Sequence, residues 1–538
     1  VTLGRQCPEP PLFPTAEPLP KLRYLLPPYS LDMRQFLSML VVGLALSAML
    51  AGVQTVASDS QQPALTYNLR LDQDSANTGL APVVMSYSSG YSLGSLTLAM
   101  YRNTGGWYDP IEVRDFKAIE AKGNPLAVLY SKDGSDKQTW TIDAGSSNNI
   151  TVQYKVFLRY FDKNTGGGGA YMGYLAPNFL LTWAGWLFLL PSGYSGPLAV
   201  SFTLPQGWIV AVPCTQQGAT YVSNAGEEFA RSTIGLGTFI TQTTVVKGSE
   251  LTVAVHSSFR ATDIERIFTF INDAFPHVAD IFAANPPSKY LTIWTPMPDG
   301  RRIDFIEAYN SAGDAVDGFG MRMMYSFLHR FFHTFNAFSP TGMSSRTNDE
   351  AWFSEGCNVY YDSKIPFVLR YQSDLNYMKS YLTDYARNYG TALDAPVASA
   401  GQYFNPQDFS KALYLAYGKG SLVCMLLDRL IARVTGGAMS FDAVLQQMYR
   451  SYGNRRGYYS NSDIQRIAST ISGYSLGAGP LAGFFRLYVF GNSKLPVRSS
   501  SLGADVDWDR MVADLGPVPG EPVAITQVAV KTTQTTTS

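Results

Sequence analysis

The stretch FLHRFFHTFNAFSPTGMSSRTNDEAWFSEGCNVYY runs from Phe327 to Tyr361 and holds two of the four histidines of a chain of 538 residues. The spacing of His329 and His333 places both imidazoles on one face of a helix, one turn apart. Glu355 follows in a second segment with a helical pattern, and a glutamate can complete a set of three ligands around one cation. The pattern therefore predicts a metal site made by His329, His333 and Glu355. The alternative is a pair of surface histidines and a glutamate favoured by a helix N-terminus.

Neighbouring segments favour the metal site. HRFFHTFNAFSP resembles the H-E-x-x-H-x-W-N signature of the glycyl aminopeptidase family. Members of that family are gluzincin metallopeptidases related to aminopeptidase N and thermolysin. AWFSEGCNVYY is similar to the W-x-x-E-G-x-x-x-Y segment of that family, and AYGKGSLVCMLLDRLI, which begins at Ala416, is similar to its Y-x-K-G helix. The resemblance extends in the same order from about Ala64 to about Pro496.

The resemblance implies an α+β fold, with an N-terminal antiparallel β domain followed by a mostly helical, thermolysin-like catalytic domain. It implies that His329, His333 and Glu355 bind zinc and that Tyr417 stabilises the oxyanion of the reaction. Zinc in such a site lowers the pKa of a bound water and polarises the scissile carbonyl group. The expected partner is a peptide or protein substrate or ligand.

One catalytic position departs from the family pattern. Arg330 stands where H-E-x-x-H has the glutamate that takes a proton from water. Arginine stays protonated and cannot act as that base, whose loss typically costs about 10²–10⁴-fold in rate. A cation about 5 Å from a divalent metal also opposes metal binding by several kcal/mol before solvent relaxes, at an effective dielectric constant of about 20. A family segment similar to G-G-L-E-H is altered too, since residues 314–327 read DAVDGFGMRMMYSF and contain no Glu-His pair.

These departures predict a metallopeptidase-like protein whose catalysis is impaired. An active zinc-dependent aminopeptidase that uses Asp349 or Glu350 as its base is one alternative. A binding or structural protein of the cell envelope is another, and the aromatic-rich β region is the argument for it. The net charge of −1 provides no basic field for nucleic acid.

Residues 1–57 are expected to be a leader that contains a secretory signal peptide. Met33 and Arg34 precede an apolar run, and the small residue Ala57 ends it, which predicts translation from Met33 and cleavage near Ala57. An uncleaved signal anchor is the alternative, because the apolar run is marginal in length for a membrane span. The protein is therefore expected to be secreted or periplasmic, with membrane contact only through an uncleaved signal segment.

The rest of the chain divides into three predicted parts. Short apolar runs between Gly, Asn, Asp and Ser clusters predict a β-rich domain over residues 58–259. Helical periodicity predicts a mostly helical region over residues 260–497, which the resemblance implies to be the catalytic domain, with helices that include Met323–Phe335 and Ser410–Val434. Residues 498–538 are rich in Ser and Thr and predict a polar tail. The four cysteines form no recognisable pairing pattern, and Cys357 is expected to pack in the interior rather than bind metal.

Overall fold

The computed structural model describes residues 64–100, 112–133, 137–158, 173–296, 302–305, 321–337, 342–371, 395–405, 408–454, 456–500 and 503–516. The predicted leader, with its start at Met33, lies outside the described residues. The G-G-L-E-H-like region lies largely outside them as well. No helix in the described part of the chain has the length and apolar character needed to cross a membrane.

The N-terminal region is mostly β-sheet because apolar and polar side chains alternate along its strands. In the first strand, Leu65, Tyr67 and Leu69 point into the core while the residues between them face outward. The strands up to residue 237 are β1 (Leu65–Arg70), β2 (Leu80–Ser88), β3 (Gly94–Ala99), β4 (Glu112–Glu120), β5 (Val128–Lys132), β6 (Gln138–Gly145), β7 (Asn149–Phe157), β8 (Tyr174–Leu175), β9 (Phe179–Trp183), β10 (Leu190–Pro191), β11 (Leu198–Thr203), β12 (Ile209–Ala211), β13 (Thr215–Gln217), β14 (Thr220–Ser223) and β15 (Thr233–Gly237). Three short helices lie among them, α1 (Gln73–Thr78), α2 (Ala184–Leu187) and α3 (Gly226–Ala230).

These strands form three sheets. A seven-stranded sheet has the order β13-β14-β11-β1-β2-β7-β4, and a four-stranded sheet has the order β10-β3-β6-β5. Their buried side chains form one continuous hydrophobic core. A third sheet has the order β12-β15-β9-β8. The expected antiparallel pairing holds for these described strands except between β1 and β11, which are parallel, so the domain contains one crossover that the prediction missed.

A fourth sheet crosses the predicted domain boundary at residues 259 and 260. Its strands are β16 (Phe239–Val246), β17 (Ser249–His256), β18 (Lys289–Pro296) and β19 (Arg302–Phe305), in that order. β17 and β18 are parallel, and a helix connects them. β17 also buries Leu251, Val253 and Val255 against the helices. β16 and β17, which the prediction places in the β-rich domain, therefore share one sheet with two strands of the predicted helical domain.

The C-terminal region is mostly helical. Its helices are α4 (Ala261–Ile281), α5 (Met321–Asn336), α6 (Cys357–Val368), α7 (Phe409–Leu413), α8 (Gly420–Val434), α9 (Phe441–Tyr452), α10 (Asn461–Ile471), α11 (Gly479–Phe484) and α12 (Trp508–Leu515). Three π-helical turns adjoin these helices, at Trp352–Gly356, Tyr414–Lys419 and Phe485–Val489, and two 3₁₀ turns span Asn348–Glu350 and Val397–Tyr403. Short strands complete the region, β20 (Ser344–Ser345) paired with β21 (Tyr458–Tyr459) and β22 (Val497–Ser500) paired with β23 (Gly503–Val506).

The structure of this region has two features that the sequence did not predict. β22, β23 and α12 lie at the start of the predicted polar tail, where the helical core buries the apolar side chains of Val506 and Met511. The four cysteines show no pairing pattern in the sequence, but Cys357 and Cys424 form a buried disulfide across 67 residues. The sequence holds no signal for that pairing, since the fold alone brings the two cysteines together. Cys214 is a free thiol whose pKa burial raises to about 12.

Candidate metal centre

Helix α5 presents His329 and His333 on one face while its other face packs into the core. Phe331 stacks on Phe275 of α4 with ring centroids 4.2 Å apart, and Phe335 stacks on Phe282 at 4.9 Å. These buried aromatic contacts fix the rotation of α5 about its axis. Both imidazoles are buried, with only 7% and 6% of their residue areas exposed.

Glu355 reaches the two histidines from the π-helical turn Trp352–Gly356. The three facing atoms form a nearly equilateral triangle. His329 Nε2 lies 3.2 Å from His333 Nε2, and Glu355 Oε2 lies 3.3 Å from the former and 3.1 Å from the latter. Among the described residues, these three side chains are the cluster whose geometry suits a metal ion. The structure thus brings together the three residues that the sequence selected.

A second layer of side chains orients the imidazoles. Asn336 Nδ2 donates to the carbonyl oxygen of Ser354 at 2.9 Å and to Asn358 Oδ1 at 2.7 Å. Its Oδ1 is therefore an acceptor, and His333 Nδ1 donates to it at 3.2 Å. His329 Nδ1 lies 2.9 Å from Asp362 Oδ2, so it donates to that carboxylate. Each Nδ1 therefore carries a proton, and each Nε2 faces the cluster with its lone pair when the ring is neutral.

The triangle has the dimensions of a zinc site. Zinc bonded at about 2.0–2.2 Å in tetrahedral geometry separates its ligand atoms by about 3.3–3.5 Å, close to the separations observed here. Two imidazole lone pairs and a carboxylate oxygen repel one another at such distances unless positive charge lies among them. The donor set of two histidines and one glutamate is also the one found in catalytic zinc sites with an open position. The described residues therefore fit zinc.

The pKa values of the cluster show the same need for positive charge. Burial lowers the pKa of His329, but the Asp362 and Glu355 carboxylates outweigh burial and raise that pKa to about 9. Burial raises the pKa of Glu355, yet the two imidazoles hold it well below its usual range. Burial raises the pKa of Asp362, and the charge of His329 opposes this in part. Metal-free protein thus keeps a proton in the cluster, and a bound metal ion would displace it.

The two predicted catalytic positions both adjoin the cluster. Tyr417 lies in the π-helical turn Tyr414–Lys419, and its partly exposed ring stacks on His329 with centroids 6.0 Å apart. Arg330 directly follows His329 on α5, and its Nε and Nη2 atoms are buried. The guanidinium is therefore partly buried beside the ligand-bearing helix.

The alternative bases have other roles. Both oxygens of Glu350 accept hydrogen bonds, Oε2 from the backbone and hydroxyl of Thr347 and Oε1 from the backbone of Asn461. Glu350 is thus a buried capping residue. Asp349 packs its Oδ1 beside Gly401 in the neighbouring 3₁₀ turn. The prediction that either carboxylate replaces the base gains no support, because capping and packing account for both positions.

Sequence reasoning missed Asp362 and Asn336. Asn336 lies three residues after His333, and Asp362 lies seven residues after Glu355. Both spacings return to the same helix face, so each side chain could have been considered as a partner of the adjacent ligand. The choice among many such polar residues still required the structure.

Comparison with known proteins agrees with this architecture. Residues 68–230 match the peptidase M61 N-terminal domain. No curated protein matches the chain. An M1 zinc metallopeptidase from Deinococcus radiodurans is 14% identical over 81% of this chain and 95% of that chain, with a TM-score of 0.47. An aminopeptidase N family protein from Idiomarina loihiensis is 14% identical over 80% of this chain and 76% of that chain, with a TM-score of 0.60. The chain therefore combines a match to the peptidase M61 N-terminal domain with a fold similar to that of an aminopeptidase N family protein.

Proposed function

We propose that the protein is a zinc-binding relative of the glycyl aminopeptidases in which peptide hydrolysis is strongly impaired. The convergence of His329, His333 and Glu355 within 3.1–3.3 Å carries the proposal. In this proposal the catalytic region is the mostly helical, thermolysin-like domain that the resemblance to the glycyl aminopeptidase family implies. The M61 match to the N-terminal region and the similarity in fold to an aminopeptidase N family protein support it.

In this proposal His329, His333 and Glu355 hold zinc, while Asp362 and Asn336 keep both Nδ1 atoms protonated. Bound zinc would supply a Lewis acid that polarises a peptide carbonyl group and acidifies water. The burial of the cluster strengthens the electrostatic effect of each side chain on a bound group. Tyr417 lies beside His329, where its hydroxyl would donate to the oxygen of a bound peptide group.

Arg330 limits the reaction because its side chain cannot accept a proton. In the H-E-x-x-H pattern the residue directly after the first histidine acts as the base, and that position is Arg330 here. The chain keeps the metal ligands but not the base. This combination favours a protein that binds a peptide or a protein partner over an enzyme that hydrolyses it.

The disulfide favours a location outside the cytoplasm. Disulfides persist in secreted and periplasmic compartments and are rare in cytosolic proteins. Cys357–Cys424 therefore supports a secreted or periplasmic protein. An extracytoplasmic peptide or protein is the matching ligand class.

Two substitutions at one position test the proposal. Arg330→Glu restores a base, and we expect it to raise hydrolysis of an alanyl or glycyl chromogenic amide by about 10²-fold or more, in a reaction that a chelator abolishes. Arg330→Gln is the matched control, because it removes the same charge without adding a base. It should bind zinc more tightly than the native chain and gain no hydrolysis. Chelator-sensitive hydrolysis by the native chain at the rate of Arg330→Glu would contradict the proposed impairment.

A further inference from the structure

A disulfide joins the two helices that follow the π-helical turns of the metal centre. Cys357 is the first residue of α6, directly after the turn Trp352–Gly356. Cys424 lies in α8, which continues from the turn Tyr414–Lys419. The two Cα atoms are 5.4 Å apart, and both side chains are fully buried. Neither turn can move far from the other while this bond is intact.

The two turns meet through backbone atoms. A Cβ atom at Gly356 would lie 2.5 Å from the carbonyl oxygen of Ala416 and 2.7 Å from the Cα atom of Gly420. A Cβ atom at Gly420 would lie 3.0 Å from the Cα atom of Trp352. Helices usually set their relative position by fitting side-chain ridges into grooves. The two glycines at this contact have no side chains that could interlock. The relative position of the two turns therefore depends on the neighbouring disulfide.

Each turn carries a side chain of the metal centre. Glu355 directly precedes Gly356, and Tyr417 stacks on His329 from the other turn. His329 and His333 share α5, so the helix itself sets the spacing between them. Glu355 is therefore the ligand whose distance to the imidazoles depends on contact between helices.

We propose that the Cys357–Cys424 disulfide positions the metal centre by holding Glu355 at the imidazoles and Tyr417 against His329. The inference rests on the proposed zinc site. A disulfide that only stabilises the fold acts on the unfolded chain and leaves the affinity of the folded site unchanged. Zinc affinity in folded protein therefore separates the two roles.

The test compares the native chain with Cys357→Ala/Cys424→Val and with Met448→Ala. Met448 is a buried core residue of α9, outside both turns, so its truncation destabilises the fold without cutting the link. Zinc dissociation constants are measured by competition with a chromophoric chelator, and Co²⁺ absorption reports the ligand geometry. All measurements use a temperature at which circular dichroism shows folded protein.

We expect the double variant to bind zinc about tenfold or more weakly and to change the Co²⁺ spectrum, as loss of support around a metal site does. Met448→Ala should match the native chain in zinc affinity and in its Co²⁺ spectrum. A double variant that matches the native chain within about twofold in zinc affinity, with the same Co²⁺ spectrum, would overturn the inference.

Reduction of the native chain provides the same comparison if the double variant does not fold. A water-soluble phosphine takes oxygen from water to become the phosphine oxide, and both cysteine sulfurs become thiols. Weaker zinc binding after reduction supports the inference, and unchanged binding overturns it. A native, oxidised chain that binds no zinc would refute the metal centre itself, which is a different result.

Discussion

Asp362 and Asn336 decide which nitrogen of each histidine faces the cluster. Asp362 accepts the Nδ1 proton of His329, and Asn336 accepts that of His333, with its own amide oriented by Ser354 and Asn358. The ligand atoms are thereby aimed before any ion arrives. Affinity for metal should depend on these hydrogen-bond acceptors nearly as much as on the ligands.

Asp362→Ala is predicted to weaken zinc binding by about 10–100-fold, because His329 loses both its orientation and the nearby negative charge. Asp362→Asn keeps a hydrogen-bond acceptor and should lose less zinc affinity than Asp362→Ala. Calorimetric titration with zinc measures both effects. Asp280→Asn, which changes a carboxylate in an exposed ion pair with Lys247, is the control and should bind like the native chain. Native affinity in Asp362→Ala would refute this role.

The pKa of His329 gives metal-free protein a distinct pH dependence. In the folded state this pKa is about 9, above the usual value of about 6.5 expected in the unfolded chain. The resulting stability is fully present below a pH of about 6.5 and is lost as pH rises through about 9, on the order of 3 kcal/mol. Denaturant unfolding in a chelator at several pH values measures it. His329→Gln should lack this loss, and a native curve that stays flat over the range would contradict the assignment.

The π-helical turn before α6 is the element that delivers Glu355. Gly356 allows it to touch the turn Tyr414–Lys419, where a Cβ atom would meet backbone atoms that cannot rotate away. π-helical turns occur often at functional sites, and here two of them border the same cluster.

Gly356→Ala is predicted to destabilise the fold by about 2 kcal/mol or more, because the added methyl group displaces backbone. It should also weaken zinc binding, since Glu355 is the adjacent residue. Gly90→Ala is the matched control, because a Cβ atom there would have no neighbour within 4 Å and stability should change by no more than about 0.5 kcal/mol. Denaturant unfolding compares the two variants. Equal stability of Gly356→Ala and the native chain would show that the close contact is dispensable.

Helix periodicity allowed much of the site to be predicted. The expected helix Met323–Phe335 corresponds to Met321–Asn336, and the spacing of His329 and His333 needed only that helix. Glu355 was proposed as a possible third ligand from its residue type and supported by the resemblance, since nothing in its spacing fixes its distance to α5. The disulfide was missed because its partners are 67 residues apart, and the pairing of β17 with β18 was missed because a long helix separates the two strands.

At the scale of the whole molecule, the helical region depends on strands from outside its predicted limits. β17 pairs with β18 and contributes Leu251, Val253 and Val255 to the core that also contains α4 and α5. A smaller apolar cluster, which includes Phe179, Leu181 and Ile293, joins the third and fourth sheets. The fourth sheet therefore lies between the β-rich and the helical parts of the chain.

A fragment of residues 239–516 is predicted to unfold cooperatively, whereas a fragment of residues 260–516 should not. The shorter fragment lacks β16 and β17, so β18 loses its parallel neighbour and the core loses buried side chains. Circular dichroism with thermal unfolding distinguishes the two. Cooperative unfolding of residues 260–516 would place the boundary where the sequence first suggested it.

The proposal as a whole depends on zinc at His329, His333 and Glu355. Elemental analysis of purified protein, after incubation with zinc and removal of the excess, tests it most directly. We predict about one zinc per chain in the native protein, and none above background in Glu355→Ala, because two histidines alone leave the site incomplete. A native chain without zinc after this treatment would contradict the account, since the cluster would then not be a metal centre.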